Sequence, residues 1–152
     1  MQLFIMRHGE AGWDAACDAD RSLTSAGTAA VRVMLTKHKD QLKGVSAIVS
    51  SPYLRARQTA ALAAEILSVP TQLLDAAFVP ESSVGDALVQ LEQLPWQGLL
   101  LVAHQPLLGN LIAALVAGDV RYAEPMEPGT LAILELDWPA AGLARLVKKL
   151  SV

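Results

Sequence analysis

Apolar positions along the chain alternate between two periods. Uninterrupted apolar runs at Gln2 to Met6, Ala47 to Val49 and Leu99 to Ala103 have the pattern of strands buried on both faces. Helical stripes lie between them. Val31, Met34, Leu35 and Leu42 share one side of a helix opened by Thr24 or Ser25, and Val84, Ala87, Leu88 and Leu91 do the same after Ser82-Ser83. Leu108, Leu111, Ile112 and Leu115 form a further stripe, closed by Gly118. The alanine-rich segment Tyr53 to Leu67 makes another helix, with Ser51 as its N-cap and Pro52 at its first position. Thr71 to Leu74 reads as a short strand. Leu131 to Leu136 and Ala144 to Leu150 read as a hairpin around Pro139-Ala140-Ala141-Gly142.

The expected fold is an α/β three-layer sandwich, with a mainly parallel central sheet, an antiparallel edge and helices on both faces. Nothing reads as a linker, a repeat or a low-complexity tract, so residues 1–152 are expected to form a single domain. With 53% hydrophobic and 18% charged residues the chain is neither disordered nor short of core material. Twelve basic against fifteen acidic residues, for a net charge of −3, leave no broad cationic surface for nucleic acid. Cys17 is alone, so no internal disulfide and no thiolate-rich metal site is expected. Arg7 and His8 interrupt any signal-peptide core. The apolar stretch from Leu107 to Gly118 is too short to span a bilayer. The expected setting is cytoplasmic, away from membranes.

Ligands of such sheets bind beyond the carboxyl ends of the strands, and three segments rich in reactive side chains fall there. The first is Arg7-His8-Gly9-Glu10. A neutral histidine can attack phosphorus, a neighbouring arginine offers a fork of donors to phosphate oxygens, and glycine lets a ligand come close. Its ordinary structural reading is a strand end with Arg7 paired to Glu10. The second is Ser51-Pro52-Tyr53-Leu54-Arg55-Ala56-Arg57. Arg55 lies in the first turn of a helix, where the dipole disfavours a cation and the free N–H groups attract anions. Arg57 reads as a surface residue. The third is the strand ending in His104, which can stabilise a transferring phosphoryl group, or else is a partly buried histidine bonded to backbone. His38, in Lys37-His38-Lys39, reads as a surface residue.

Together Arg7-His8-Gly9, Ser51-Pro52-Tyr53-Leu54-Arg55-Ala56 and the strand-terminal His104 resemble the histidine phosphatase, or phosphoglycerate mutase-like, superfamily. The short length, the opening Met1 to Ala11 and the stretch Asp18 to Gly27 resemble its SixA-type protein histidine phosphatases. The resemblance implies that His8 is the nucleophile and that Arg7, Arg55 and His104 surround the phosphoryl oxygens. It implies no cofactor and no metal. The implied partner is a phosphohistidine-bearing protein, such as a phosphotransfer domain of a signalling relay, and the chain is expected to be a monomer. The alternatives are a small-metabolite phosphatase or mutase of the same superfamily, and a non-catalytic domain that binds phosphorylated ligands.

Larger members of the family carry an acid that protonates the leaving oxygen. The candidate here is Glu81, whose plainer reading is a charge favoured at a helix start. No inserted lid is visible. Both absences suit phosphohistidine, because imidazole leaves more readily than an alcohol and an open pocket admits a histidine on a protein surface. Asp18 and Arg21 are expected to pair and order their loop, outside the catalytic set, the alternative being that Arg21 reaches the phosphate or the partner protein. Trp13 is expected to anchor that loop to the body, the alternative being a contact for a partner.

Overall fold

A computed structural model describes residues 1–70 and 72–152. The chain runs β1 (Gln2–Arg7), α1 (Ser25–Lys37), β2 (Ala47–Ser50), α2 (Leu54–Leu67), β3 (Gln72–Leu74), α3 (Val84–Gln93), β4 (Leu99–Ala103), α4 (Leu107–Ala117), β5 (Leu131–Glu135) and β6 (Arg145–Leu150). The strands form one sheet in the order β3-β2-β4-β1-β5-β6. The pairs among β3, β2, β4 and β1 are parallel. β5 and β6 complete an antiparallel edge. The expected α/β architecture is observed; of the expected strand starting at Thr71, that residue lies outside the described ones.

The unbroken apolar run of β1 follows from helices on both faces. Leu3 and Ile5 point into a core shared with α3 and α4, and Phe4 and Met6 into a second core shared with α1 and α2. All four side chains are fully buried. Each contributes about 1.5–3 kcal/mol of hydrophobic stabilisation, so the strand that carries Arg7 and His8 is among the best-anchored segments of the molecule.

Two helix boundaries depart from the sequence pattern. α1 stops at Lys37, and Leu42 reaches the core from a separate 3₁₀ turn at Lys39–Leu42. α2 begins at Leu54 with Tyr53 as its cap, rather than at Pro52 after a Ser51 cap. The cause is the sheet: Ser51 N–H still bonds to the Val102 carbonyl at 3.0 Å, so the chain remains extended one residue beyond β2. Ser51 Oγ instead accepts the Tyr53 N–H at 3.2 Å. The other starts follow expectation. Thr24 Oγ1 caps α1 through Gly27 N–H, and Ser83 caps α3 through Asp86 N–H.

The loop after β1 is tied back onto α1. Ala11 bridges Leu23, and Thr24 N–H bonds to the Glu10 carbonyl at 3.0 Å. This approach requires glycine at residue 27, since a Cβ there would lie 2.2 Å from the Glu10 carbonyl oxygen. We expect Gly27→Ala to cost about 1–3 kcal/mol through overpacking against backbone, measurable by urea denaturation. An unchanged midpoint would show that the Glu10 backbone yields freely.

Candidate active site

β1 and β4 are hydrogen-bonded neighbours in parallel register, with Arg7 opposite Ala103. The next residues on each strand are His8 and His104, and His8 N–H bonds to the Ala103 carbonyl at 3.1 Å. From here β1 leads to α1 on one face of the sheet and β4 to α4 on the other. The two histidines thus flank the crevice where successive connections diverge, the usual ligand position in an open α/β sheet. Their ring centroids are 5.1 Å apart.

His8 is held in a defined tautomer. Its Nδ1–H donates to the Gly9 carbonyl at 2.7 Å, leaving Nε2 unprotonated. Arg55 Nε donates to that Nε2 at 3.3 Å. Thr59 closes the arrangement from α2, accepting the Gly9 N–H at 3.1 Å and donating to the Arg55 carbonyl at 2.8 Å. Burial pushes the His8 pKa down to about 4, with the Arg55, Arg7 and Arg21 charges acting in the same sense and the Gly9 bond opposing. The ring is therefore neutral at pH 7.

His104 is 1% exposed, and neither ring nitrogen has a partner among the described residues. Burial, then His8, Arg55 and Arg7, push its pKa down to about 3. This differs from a structural histidine bonded to backbone, because unpaired buried polar atoms are costly. Arg7 does not pair with Glu10. It donates from Nη1 to the Met126 carbonyl at 3.0 Å, while its buried Nε has no partner among the described residues; Glu10 instead accepts the Thr24 hydroxyl hydrogen at 2.8 Å. Arg55 is buried, and its outer nitrogens donate to Asp18: Nη1 to the backbone carbonyl at 2.7 Å and Nη2 to Oδ2 at 3.1 Å.

The structure thus brings Arg7, His8, Arg55 and His104 into one cluster of two guanidinium groups and two neutral imidazoles. Such a cluster can hold a phosphoryl group between donors while leaving one nitrogen available for attack. Glu81 lies at its edge. Both carboxylate oxygens are 3.0 Å from the Tyr53 hydroxyl, and the Tyr53 ring meets His104 edge-on at 5.3 Å between centroids. Arg57 is exposed, and His38 is half-buried at the surface with its Nε2 2.9 Å from the Ser151 carbonyl. Among the described residues no three His, Cys, Asp or Glu side chains converge as metal ligands, and no helix is long and apolar enough to cross a membrane.

Asp18 and Arg21 pair at 3.0 Å, as expected. Trp13 does not anchor the loop to the body: it is 81% exposed, and the Arg21 guanidinium stacks on its ring 3.5 Å from the centroid. The loop is tied down instead by its pairing with Leu23 and by Gln58, whose Oε1 accepts the Leu23 N–H at 2.8 Å. Two functional contacts escape the sequence reading, Thr59 and the grip of Asp18 on Arg55. Thr59 had a signal, since it is a polar residue one helical turn after Arg55 on the buried side of α2. The Asp18 contact had none, because it joins a loop to a helix far along the chain.

Comparison with known proteins agrees with this geometry. The chain is 37% identical to phosphohistidine phosphatase SixA of Escherichia coli, over 78% of its own length and 76% of the relative's. It belongs to the histidine phosphatase superfamily. The sequence model of that superfamily (branch 1) matches residues 3–77. A SixA homologue of Haemophilus influenzae is 30% identical, covering 90% of this chain and 89% of the relative. The solved structure of the protein histidine phosphatase SixA with tungstate superposes with a TM-score of 0.89 at 32% identity, over 99% of this chain and 97% of the other. The superfamily membership and the SixA homology make the chain a hydrolase.

Proposed function

We propose that this hydrolase removes the phosphoryl group from phosphohistidine in a partner protein, such as a phosphotransfer domain of a signalling relay, through a covalent phosphohistidine on His8. The observation that carries the reading is the state of His8. It is neutral, its Nδ1–H is fixed on the Gly9 carbonyl, and its Nε2 lone pair lies among cationic and hydrogen-bonding groups. In this reading His8 Nε2 attacks phosphorus as the substrate's own imidazole departs. Arg7 and Arg55 hold the three oxygens and stabilise the charge that develops on them. His104, whose ring nitrogens have no partner among the described residues, donates its N–H to the same oxygens. Water then attacks the phosphohistidine and regenerates His8. Glu81 is the candidate that orients or deprotonates that water, through its position on Tyr53. In this proposal the protein acts as a single-domain cytoplasmic monomer without metal or cofactor.

The likeness to phosphohistidine phosphatase SixA supports the substrate class. Incubation of the purified protein with a phosphohistidine-bearing protein, and separately with sugar and glycerate phosphates, tests it. We expect turnover of the phosphoprotein and slow or no turnover of the small esters. Rapid hydrolysis of the esters with the phosphoprotein untouched would assign the pocket to metabolites instead.

A further inference from the structure

Asp18 stands at the outward end of a line of contacts that begins at the proposed nucleophile. Arg55 joins His8 Nε2 through its Nε and joins Asp18 through both outer nitrogens. Arg21 holds the other carboxylate oxygen from the loop side. The Arg55 side chain is 5% exposed and that of Asp18 49%, so the carboxylate is the solvent-facing member of the line. The Arg21 and Arg55 bonds keep its pKa below the ordinary carboxylate value, and its negative charge is felt at His104. An ionised carboxylate beside a phosphoryl pocket is at first sight a disadvantage. It competes for Arg55 and repels a dianion.

The leaving group gives that charge a use. An N-phosphorylated imidazole departs as neutral imidazole only when its other ring nitrogen carries a proton; without it the departing species is imidazolate, a far poorer leaving group. The reactive substrate therefore pairs an anionic phosphoryl group with a cationic ring that has an N–H on its far side. We propose that Asp18 is a specificity-determining residue that accepts this N–H, selecting ring-protonated phosphohistidine over phosphate esters, whose leaving oxygen has no such hydrogen to offer. The inference rests on the phosphohistidine reading above. In the step, the His8 Nε2 lone pair forms a bond to phosphorus as the bond from phosphorus to the substrate ring nitrogen breaks. The electron pair stays on that nitrogen, the far proton stays on the ring against Asp18, and neutral imidazole leaves. A carboxylate holding an imidazolium through its N–H is a familiar means of fixing both tautomer and charge.

The test compares Asp18→Asn with the unaltered protein on two substrates, a histidine peptide phosphorylated with phosphoramidate and p-nitrophenyl phosphate. The expected result is a fall of about tenfold or more in the ratio of kcat/KM for the phosphopeptide to that for the nitrophenyl ester, the scale of one charge-assisted hydrogen bond. Asp18→Ala must change the ratio in the same direction. Equal losses on both substrates would show that Asp18 only fixes Arg55, and equal gains that it merely competes with phosphate; either overturns the proposal. A second readout needs no substitution. The groups that face or feel Asp18 are Arg55 and Tyr53 beside α2, Arg21 on its own loop and His104 after β4. With these in place, the alkaline limb of kcat for the phosphopeptide lies above the pKa of the free phosphohistidine ring, and a limb at or below that value overturns the assignment. An unaltered protein that cleaves the nitrophenyl ester and ignores the phosphopeptide would instead defeat the phosphohistidine reading itself.

Discussion

His8→Ala abolishes turnover, with an expected loss in kcat of about 10⁴-fold or more, the scale seen when a covalent nucleophile is removed. It also abolishes the acid-labile phosphoenzyme that rapid quenching with radiolabelled substrate should trap. Alanine leaves Arg7, Arg55 and His104 in place, so phosphate binding survives, and binding measured by calorimetry separates loss of the nucleophile from collapse of the pocket. His104→Ala has a different signature. Turnover slows severely because a group on the phosphoryl oxygens is lost, yet His8 still accepts label. Near-normal activity in His8→Ala would end the nucleophile assignment, and loss of labelling in His104→Ala would mean that the two roles are exchanged.

The second large effect is on stability. The His8 and His104 pKa values lie at about 4 and about 3, below the ordinary histidine value of 6.5 that the unfolded chain retains. As pH falls through 6.5 the unfolded chain takes up two protons that the folded protein refuses, so the unfolded state is favoured. The stabilisation is complete above pH 6.5 and is lost as pH falls toward about 4 for His8 and about 3 for His104. Each histidine changes stability by at most about 1.4 kcal/mol per pH unit, so by pH 5 the loss is on the order of 2 kcal/mol for each. That is a large share of the roughly 5–15 kcal/mol of a typical domain. The lowered Asp18 pKa acts in a lower window, since its contribution persists until pH drops below the carboxylate range. Urea denaturation between pH 7.5 and 5 checks the slope, and His104→Asn should reduce it by about half. A flat profile would mean that both rings titrate as they do in water.

The strands and their motifs were legible because the information is local. Burial on both faces leaves the unbroken runs at Leu3 to Met6 and Leu99 to Ala103, and a strand that ends in a polar residue marks the carboxyl end of the sheet, where chemistry can sit. Thr24, Ser83 and Gly118 mark helix ends by their own side chains or backbone. The start of α2 was displaced because a bond from Ser51, just beyond β2, to Val102 on β4 outweighs a local capping signal. Trp13 misled for a related reason. Its apolar ring suggested burial, but a cation from its own loop covers one face and leaves the other to solvent. The convergence of Arg55 on His8 could be inferred only by combining motifs, and the Asp18 grip on Arg55 could not be inferred at all.

The placement of the two histidines on hydrogen-bonded strands in the middle of the sheet has an evolutionary consequence. The distance between their anchor points is set by interstrand spacing, about 4.8 Å in any sheet, and not by the length or sequence of any loop. The loop that carries Trp13 and Asp18, and the turn that carries Glu81, can lengthen, shorten or change charge while that spacing stays the same. A lineage built on this frame can exchange one phosphorylated substrate for another by altering its surface, and the pair proposed to handle phosphorus is inherited intact.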